Sequence, residues 1–313
     1  MSTTTSHRLS NNFLGILCCV IALFAFAAQD AIVKYLSGIY PVLQILTIRI
    51  ALVVVILSVS GVIVVGVKVF RTERASIMMF RGFLAFSAFT TYYLALSVTP
   101  LATAAAVYMT APLFVTALSM PLLKEMVGVH RWAAVICGFL AIIIMLNPGS
   151  ELFHLSAAMP LVSALCYALI PIITRRVGVS EHVLTMAIYT TAFYLFMCLI
   201  TTSLVHLFPV DNAETGLLFG LFGRWIWPTP LDWLWLGVSS VVFAAGLVLI
   251  TQAYRVAAVS AVAPFEYSYL LWANILGFMV FSHVPEFRVV AGSVFVVMCG
   301  LYVLYRERYR SSE

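Results

Sequence analysis

The stretch AVSAVAPFEYSYLLWANILGFMVF, residues 258–281, decides how this chain folds. As an α-helix rising about 1.5 Å per residue, it is long enough to cross the roughly 30 Å hydrocarbon core of a bilayer. Inside it stand a proline, Pro264, and a carboxylate, Glu266. A proline in a helix interior removes a backbone donor and frees the carbonyl four residues earlier, here Ser260. A charge at mid-bilayer costs about 2.5–3.5 kcal/mol on insertion scales, so it faces the bundle interior or water. Non-ideal backbone at that depth is tolerated where it lines a cavity or is satisfied by neighbouring helices. The segment therefore reads as a membrane span with a polar inner face.

The rest of the chain supports this. Of 313 residues, 63% are hydrophobic and 9% charged, against about 25% charged in a soluble domain. The composition is that of an all-α, polytopic integral membrane protein in a lipid bilayer. The formal charge of +5 does not imply a nucleic-acid partner, because in such a protein the placement of basic residues carries the information. The cysteines (Cys18, Cys19, Cys137, Cys166, Cys198, Cys299) all lie in apolar runs. They read as small packing residues, with no C-x-x-C pair and no metal-ligand spacing. Neither a metal nor a cofactor is expected.

Apolar runs bounded by charges or Gly/Pro clusters predict ten spans, near 13–36, 41–66, 75–98, 100–123, 130–147, 155–175, 182–207, 231–253, 258–282 and 287–306. The N-terminal run, with a basic start and an Ala-Phe-Ala, mimics a cleaved signal peptide. Its apolar character continues past Asp30 to Leu36, so an uncleaved first span is expected. With the N-terminus inside, Arg8, Lys68, Arg71, Arg74, Lys124, Arg131, Arg175, Arg176, Arg255, Arg306, Arg308 and Arg310 fall on the cytoplasmic side. Arg224 and Arg288 fall outside. That bias places both termini in the cytoplasm of a bacterial-type inner membrane. The long connection near 208–230, with RWIWPTP, reads as an interfacial loop, since Trp prefers the headgroup level.

Five spans per half suggest a duplication, residues 1–150 and 151–313. An odd number per copy makes the two repeats insert in opposite senses, an arrangement common among secondary transporters. Residues 95–145 slide onto 253–303 without a gap, laying TPLATAAAVYMTAPLF over AAVSAVAPFEYSYLLW.

On LALSVTPLATAAAVYMTAPLFVTALSMPLLKE (94–125) and on residues 252–305, the chain resembles the drug/metabolite transporter superfamily in its EamA-repeat branch. The resemblance implies ten helices in two inverted five-helix repeats around a central substrate cavity. APFEYSYLLWA and FRG (80–82) are most similar to carriers of the riboflavin and S-adenosylmethionine type. One departure stands out: the first half ends its fourth span in Lys124-Glu125, the second in Ser282-His283.

Asp30, Lys34, Arg49, Arg81 and Glu266 fall within spans. Counted along ideal helices, Asp30 and Arg49 lie roughly 9–12 Å from the outer ends of spans one and two. Arg81 and Glu266 lie as deep from the cytoplasmic ends of spans three and nine. Depth thus predicts an outer pair, Asp30 with Arg49, and an inner pair, Arg81 with Glu266. Each pair is either a structural lock or part of the transport site. Lys34 can snorkel to the interface and sits four residues after Asp30, at helix-pair spacing.

Tyr269, Ala273 and Gly277 share a helical face with Glu266, with Asn274 at its flank. Thr103, Ala106, Thr110 and Ala117 form a similar face near Pro112. These stripes line a cavity or pack helices together. Glu266 then reads as a lock, a proton-coupling site or a contact for a cationic substrate, and Arg81 as a site for a carboxylate or phosphate. Tyr93, Tyr108, Tyr167, Tyr267, Tyr269 and Trp272 can offer ring faces to an aromatic or heterocyclic substrate. Gly292 and Gly300, with Ala134 and Gly138, permit close helix approach, for internal packing or a homodimer face.

The leading expectation is a secondary carrier moving a small aromatic, heterocyclic or zwitterionic metabolite by alternating access. Export of amino acids or drugs is the alternative within the same fold, and a non-transporting scaffold or receptor the alternative outside it. No phosphate loop, H-E-x-x-H pair or G-x-S-x-G elbow is present, so no enzyme is expected.

Overall fold

A computed structural model describes residues 2–98, 107–124, 158–207 and 223–281, with scattered positions at 128–140, 219, 221 and 291–302. Every regular element among them is helical. In chain order these are α1 (Ser2–Leu36), α2 (Val42–Val65), α3 (Ala75–Val98), α4 (Ala111–Leu123), α5 (Ala158–Val177), α6 (Val183–Leu207), α7 (Pro230–Val256), α8 (Val259–Val262) and α9 (Ser268–Phe281). Short 3₁₀ turns occupy Val67–Phe70, Gly178–Ser180 and Ala263–Tyr267. Spans two, three and six to eight begin and end near their predicted limits; the first helix ends at the predicted Leu36 but already begins at Ser2. Most of spans five and ten, the start of span four and the loop 208–218 lie outside the described residues. So do Glu125, Ser282-His283, Thr103, Ala106, Ala134, Gly138, Gly292 and Gly300, and with them the predicted homodimer face.

Among the described residues, five helices are long and apolar enough to cross a membrane: Asn11–Leu36, Val42–Val65, Met159–Val177, Val183–Leu207 and Pro230–Val256. The chain is a multi-pass membrane protein. Its helices expose apolar stripes rather than polar ones. On α7, Leu231, Leu234, Val238 and Val241 are all exposed at three- and four-residue steps, one helix face. Phe13, Leu17, Ile21 and Phe24 do the same on α1. The polar residues point inward: Gln29, Asp30, Arg49, Arg81, Asp232 and Glu266 are all buried. This is the distribution that hydrocarbon demands.

The halves of the chain interleave. α1 runs along α7 and also touches α9, while α3 packs on α5 and α6. Two glycines allow the closest approaches. A Cβ on Gly15 of α1 would stand 2.4 Å from Ala257 Cβ. One on Gly82 of α3 would stand 2.7 Å from Phe193 Cβ and 2.9 Å from the Thr190 carbonyl oxygen of α6. Gly82 therefore lets its neighbour Arg81 reach α6.

The ninth span is broken rather than continuous. Ala257 and Ala258 are extended, and the Ala258 N–H donates to Asn12 Oδ1 on α1 at 3.2 Å. α8 follows, then the 3₁₀ turn around Pro264, then α9. Extended and 3₁₀ residues advance about 3.3 and 2.0 Å against 1.5 Å in an α-helix. Glu266 is thereby set at a position that counting along an unbroken helix does not give.

Candidate functional site

The position of Glu266 beside Asp30 corrects the two-layer expectation. Asp30 and Glu266 line one cavity, together with Tyr92, Tyr93, Tyr108, Tyr167 and Tyr269. The walls come from α1, α3, α4, α5, the 3₁₀ turn and α9. Four of the rings form a chain between the carboxylates. Tyr93 meets Tyr92 at 5.4 Å between centroids, Tyr92 meets Tyr108 at 4.9 Å, and Tyr108 meets Tyr167 at 5.6 Å. The cavity holds about 30 Å³, room for a water or two. A metabolite enters only if helices part.

Asp30 is saturated. Its Oδ1 accepts from Gln29 Nε2 and Tyr93 OH, and its Oδ2 accepts from Tyr269 OH at 2.7 Å. Tyr269 is in turn 3.2 Å from Tyr92 OH. Arg49 reaches Asp30 through intermediaries rather than by a direct salt bridge. Its Nη1 donates to Gln29 Oε1 and, at 3.3 Å, to Tyr93 OH. Its Nε and Nη2 lack hydrogen-bond acceptors. The guanidinium instead lies 5.0 Å from the Tyr93 ring centre and 4.6 Å from that of Phe243, where the ring faces attract a cation. The predicted Asp30–Arg49 pair is thus a relay through Gln29 and Tyr93.

Glu266 is half satisfied. Its Oε1 accepts from Tyr167 OH at 2.8 Å and Tyr254 OH at 2.5 Å, and its Oε2, fully buried, has no partner. The predicted pairing with Arg81 does not occur. Arg81 Nη1 donates to Thr190 Oγ1 at 2.7 Å and to the Met186 carbonyl at 3.1 Å; Nη2 donates to Thr251 Oγ1 at 2.9 Å. Gly82 directs this outcome by holding α3 against α6, and the broken ninth span carries the carboxylate away. Arg81 lines a neighbouring cavity with Thr190, Thr251 and Tyr254. The two cavities share Phe26, Phe89 and Tyr167.

Tyr93, Tyr108 and Tyr269 line one cavity with Asp30 and Glu266, although the two carboxylates were expected in opposite layers. Three other candidates stand outside the cavity lining. Thr110 Oγ1 donates back to the Val107 carbonyl, and Asn274 Nδ2 to the Leu270 carbonyl, each closing on its own chain. Trp272 packs edge-on against Phe24 at 5.1 Å. The 3₁₀ turn is the reason for Asn274: winding at three residues per turn breaks the 3.6-residue face that would align it with Glu266. Lys34 donates to the Leu96 carbonyl at 3.0 Å rather than pairing with Asp30. Gln29, Tyr92, Thr190, Thr251 and Tyr254 are the residues that sequence reading passed over. Each is a polar side chain within a span, which is the signal they offered.

At the end of the bundle where α1 meets α2, a second polar cluster closes the gap to α7. Tyr40 OH donates to Asp232 Oδ2 at 2.7 Å, and Thr229 caps α7 by accepting from the Asp232 N–H at 3.2 Å. Gln44 pairs with the backbone of Ile226 in both directions, at 2.5 and 3.1 Å. Burial and the Asp232 carboxylate push the Tyr40 hydroxyl up from its ordinary value, so it stays a donor. Trp227, 84% exposed, fits the predicted interfacial loop.

Residues 13–147 match the family described as the EamA-like transporter family. Over those residues the chain is similar to an EamA-type transporter domain. It aligns over 98% of its length with 99% of the S-adenosylmethionine uptake transporter of Rickettsia bellii (strain RML369-C), at 24% identity. The riboflavin transporter of Vibrio cholerae is 26% identical over 95% of each chain. The pseudopaline exporter of Pseudomonas aeruginosa is 24% identical over 91% of this chain and 93% of its own. A crystal structure shares the fold of this chain, with a TM-score of 0.72 over 96% of it and 99% of that chain, at 14% identity. The tyrosine-lined cavity draws on this domain through α1, α3 and α4.

Proposed function

We propose that this chain is a secondary carrier that moves a small aromatic or heterocyclic metabolite bearing positive charge, by alternating access around the Asp30–Glu266 cavity. In this reading ten helices form two inverted five-helix repeats, residues 1–150 and 151–313, in the cytoplasmic membrane with both termini inside. The chain is a transporter and not an enzyme.

The observation that carries the reading is the placement of two buried carboxylates on one cavity walled by tyrosine rings. Carboxylates supply negative charge, and ring faces bind both cations and flat heterocycles. Full-length similarity to proteins named as carriers of S-adenosylmethionine and riboflavin supports a metabolite of that size and kind. The cavity's small volume supports a closed state, which must open toward one side to load.

The test is uptake into proteoliposomes of radiolabelled aromatic and heterocyclic metabolites, S-adenosylmethionine and riboflavin among them. The expected result is saturable accumulation of a cationic compound, lost in Asp30→Asn and Glu266→Gln proteins that fold normally. Transport at wild-type rates in both variants, or none by the wild type, overturns the reading.

A further inference from the structure

The Arg81 guanidinium is fully buried, 1% exposed, and faces no carboxylate among the described residues. Its three acceptors are neutral: two threonine hydroxyls and one backbone carbonyl. Its Nε has no acceptor. Arg49 differs, since the Gln29–Tyr93 relay joins it to Asp30 and two rings cover it. Removing one partner of a buried ion pair is strongly destabilising, because it leaves an uncompensated charge. Arg81 is held in that uncompensated state, in a cavity, by hydroxyls arranged around it. Thr251 Oγ1 accepts from Arg81 Nη2, so its own proton is available to a further acceptor in the same cavity.

Across the shared wall of Phe26, Phe89 and Tyr167, the complementary deficit exists. Glu266 Oε2 is buried without a donor. Tyr254 lines the Arg81 cavity and donates to Glu266 Oε1, so one tyrosine links the Arg81 cavity to the carboxylate that lines the other. One buried cation and one buried anion thus stand in adjoining cavities, not paired with each other, each with an open hydrogen-bonding position.

We propose that the Arg81 cavity is a carboxylate subsite, and that the transported metabolite is a zwitterion whose carboxylate binds Arg81 and Thr251 while its cationic head and ring occupy the Glu266 side. This rests on the carrier reading given above and adds the substrate's second charge. A planar guanidinium matches a carboxylate through two parallel N–H donors. Nε is open, and Nη2 can exchange Thr251 for the ligand, whose second bond then comes from the released Thr251 hydroxyl. A carboxylate carries one negative charge, which one arginine balances. A phosphate dianion would leave charge unbalanced among Ile170, Leu247 and Ile250, which line the same cavity.

The test measures affinity of the purified, full-length protein for matched pairs that differ only in the carboxylate. The pairs are tryptophan and tryptamine, histidine and histamine, and S-adenosylmethionine and its decarboxylated analogue. The carboxylate-bearing member of at least one pair is expected to bind about tenfold tighter or better, as a charged hydrogen bond allows. That ratio falls to about one in Arg81→Gln and by a smaller factor in Thr251→Val, which keeps the guanidinium and so guards against a folding artefact. Equal binding of both members by the wild type overturns the carboxylate subsite and leaves the carrier reading standing. An unchanged ratio in the two variants overturns it equally. Preference for a phosphorylated amine over the carboxylate assigns the cavity to phosphate and overturns the zwitterion. No binding of any cationic aromatic compound sinks the carrier reading together with the subsite.

Discussion

The Asp30 cluster and the Glu266–Arg81 region contain the same chemistry, a carboxylate and a guanidinium buried among tyrosines, yet they differ in completeness. Around Asp30 every carboxylate oxygen is used, and Arg49 is joined to it through Gln29 and Tyr93, with its Nε and Nη2 left to the Tyr93 and Phe243 rings rather than to acceptors. Around Glu266 and Arg81 the charges stay apart, one oxygen and one N–H remain open, and each group faces a cavity. A saturated polar network in low dielectric rigidifies a core, whereas a half-satisfied one is costly. The difference is one of degree: the first network ties α1, α2, α3 and α9 together while Asp30 still lines the cavity, and the second keeps its two charges apart with positions left open.

The largest effect that would break this comparison lies in the scaffold. Arg49→Met strands the Asp30 charge, and should cost about 3–5 kcal/mol of stability, read as thermal unfolding in detergent. Adding Asp30→Asn should restore part of it, since no charge is then left alone. If Arg49→Met proves neutral, the cluster is not a lock. Next comes Glu266→Gln. Its amide oxygen can still accept from Tyr167 and Tyr254, so folding should persist while transport falls by about a hundredfold, roughly the loss of one buried charge contact. A variant that unfolds instead would make Glu266 structural and erase the contrast.

Gly82→Ala tests what brings Arg81 to its threonines. The added methyl meets Phe193 and the Thr190 carbonyl, and overpacking of this kind costs about 1–3 kcal/mol. A neutral result would show that α3 has room to shift. The smallest expected effect is Tyr167→Phe, which removes one of two donors to Glu266 Oε1 at about 1 kcal/mol. Because Tyr254 remains, substrate affinity should move more than stability, and the opposite ranking would assign Tyr167 to the scaffold.

Much of the site was legible along the chain because charge in an apolar span has few explanations. Asp30, Arg49, Arg81 and Glu266 stand out on composition alone, and Tyr93, Tyr108 and Tyr269 follow as ring donors near them. Gln29, Thr190 and Thr251 did not stand out, since a neutral polar residue is common enough in spans to pass as packing. Depth counting failed at Glu266 for a definite reason. It assumes an unbroken helix, and Ala257 to Tyr267 is extended and 3₁₀ for much of its length. Pro264 flagged the irregularity without giving its size.

The amino-acid sequence by itself determined that this chain lives in a bilayer, where its helices run, and which side chains must be buried at a cost. Those properties depend on hydrophobicity and length, which are local. Only the tertiary structure decided who partners whom. Tyr269 reaches Asp30 across 239 positions, and Thr251 reaches Arg81 across 170. Hydrogen bonds act within about 3 Å, so pairing depends on helix approach, set here by Gly82, Gly15 and the broken ninth span. That is why two opposite charges read as a natural pair from depth alone end up in separate cavities, each with a position still to fill.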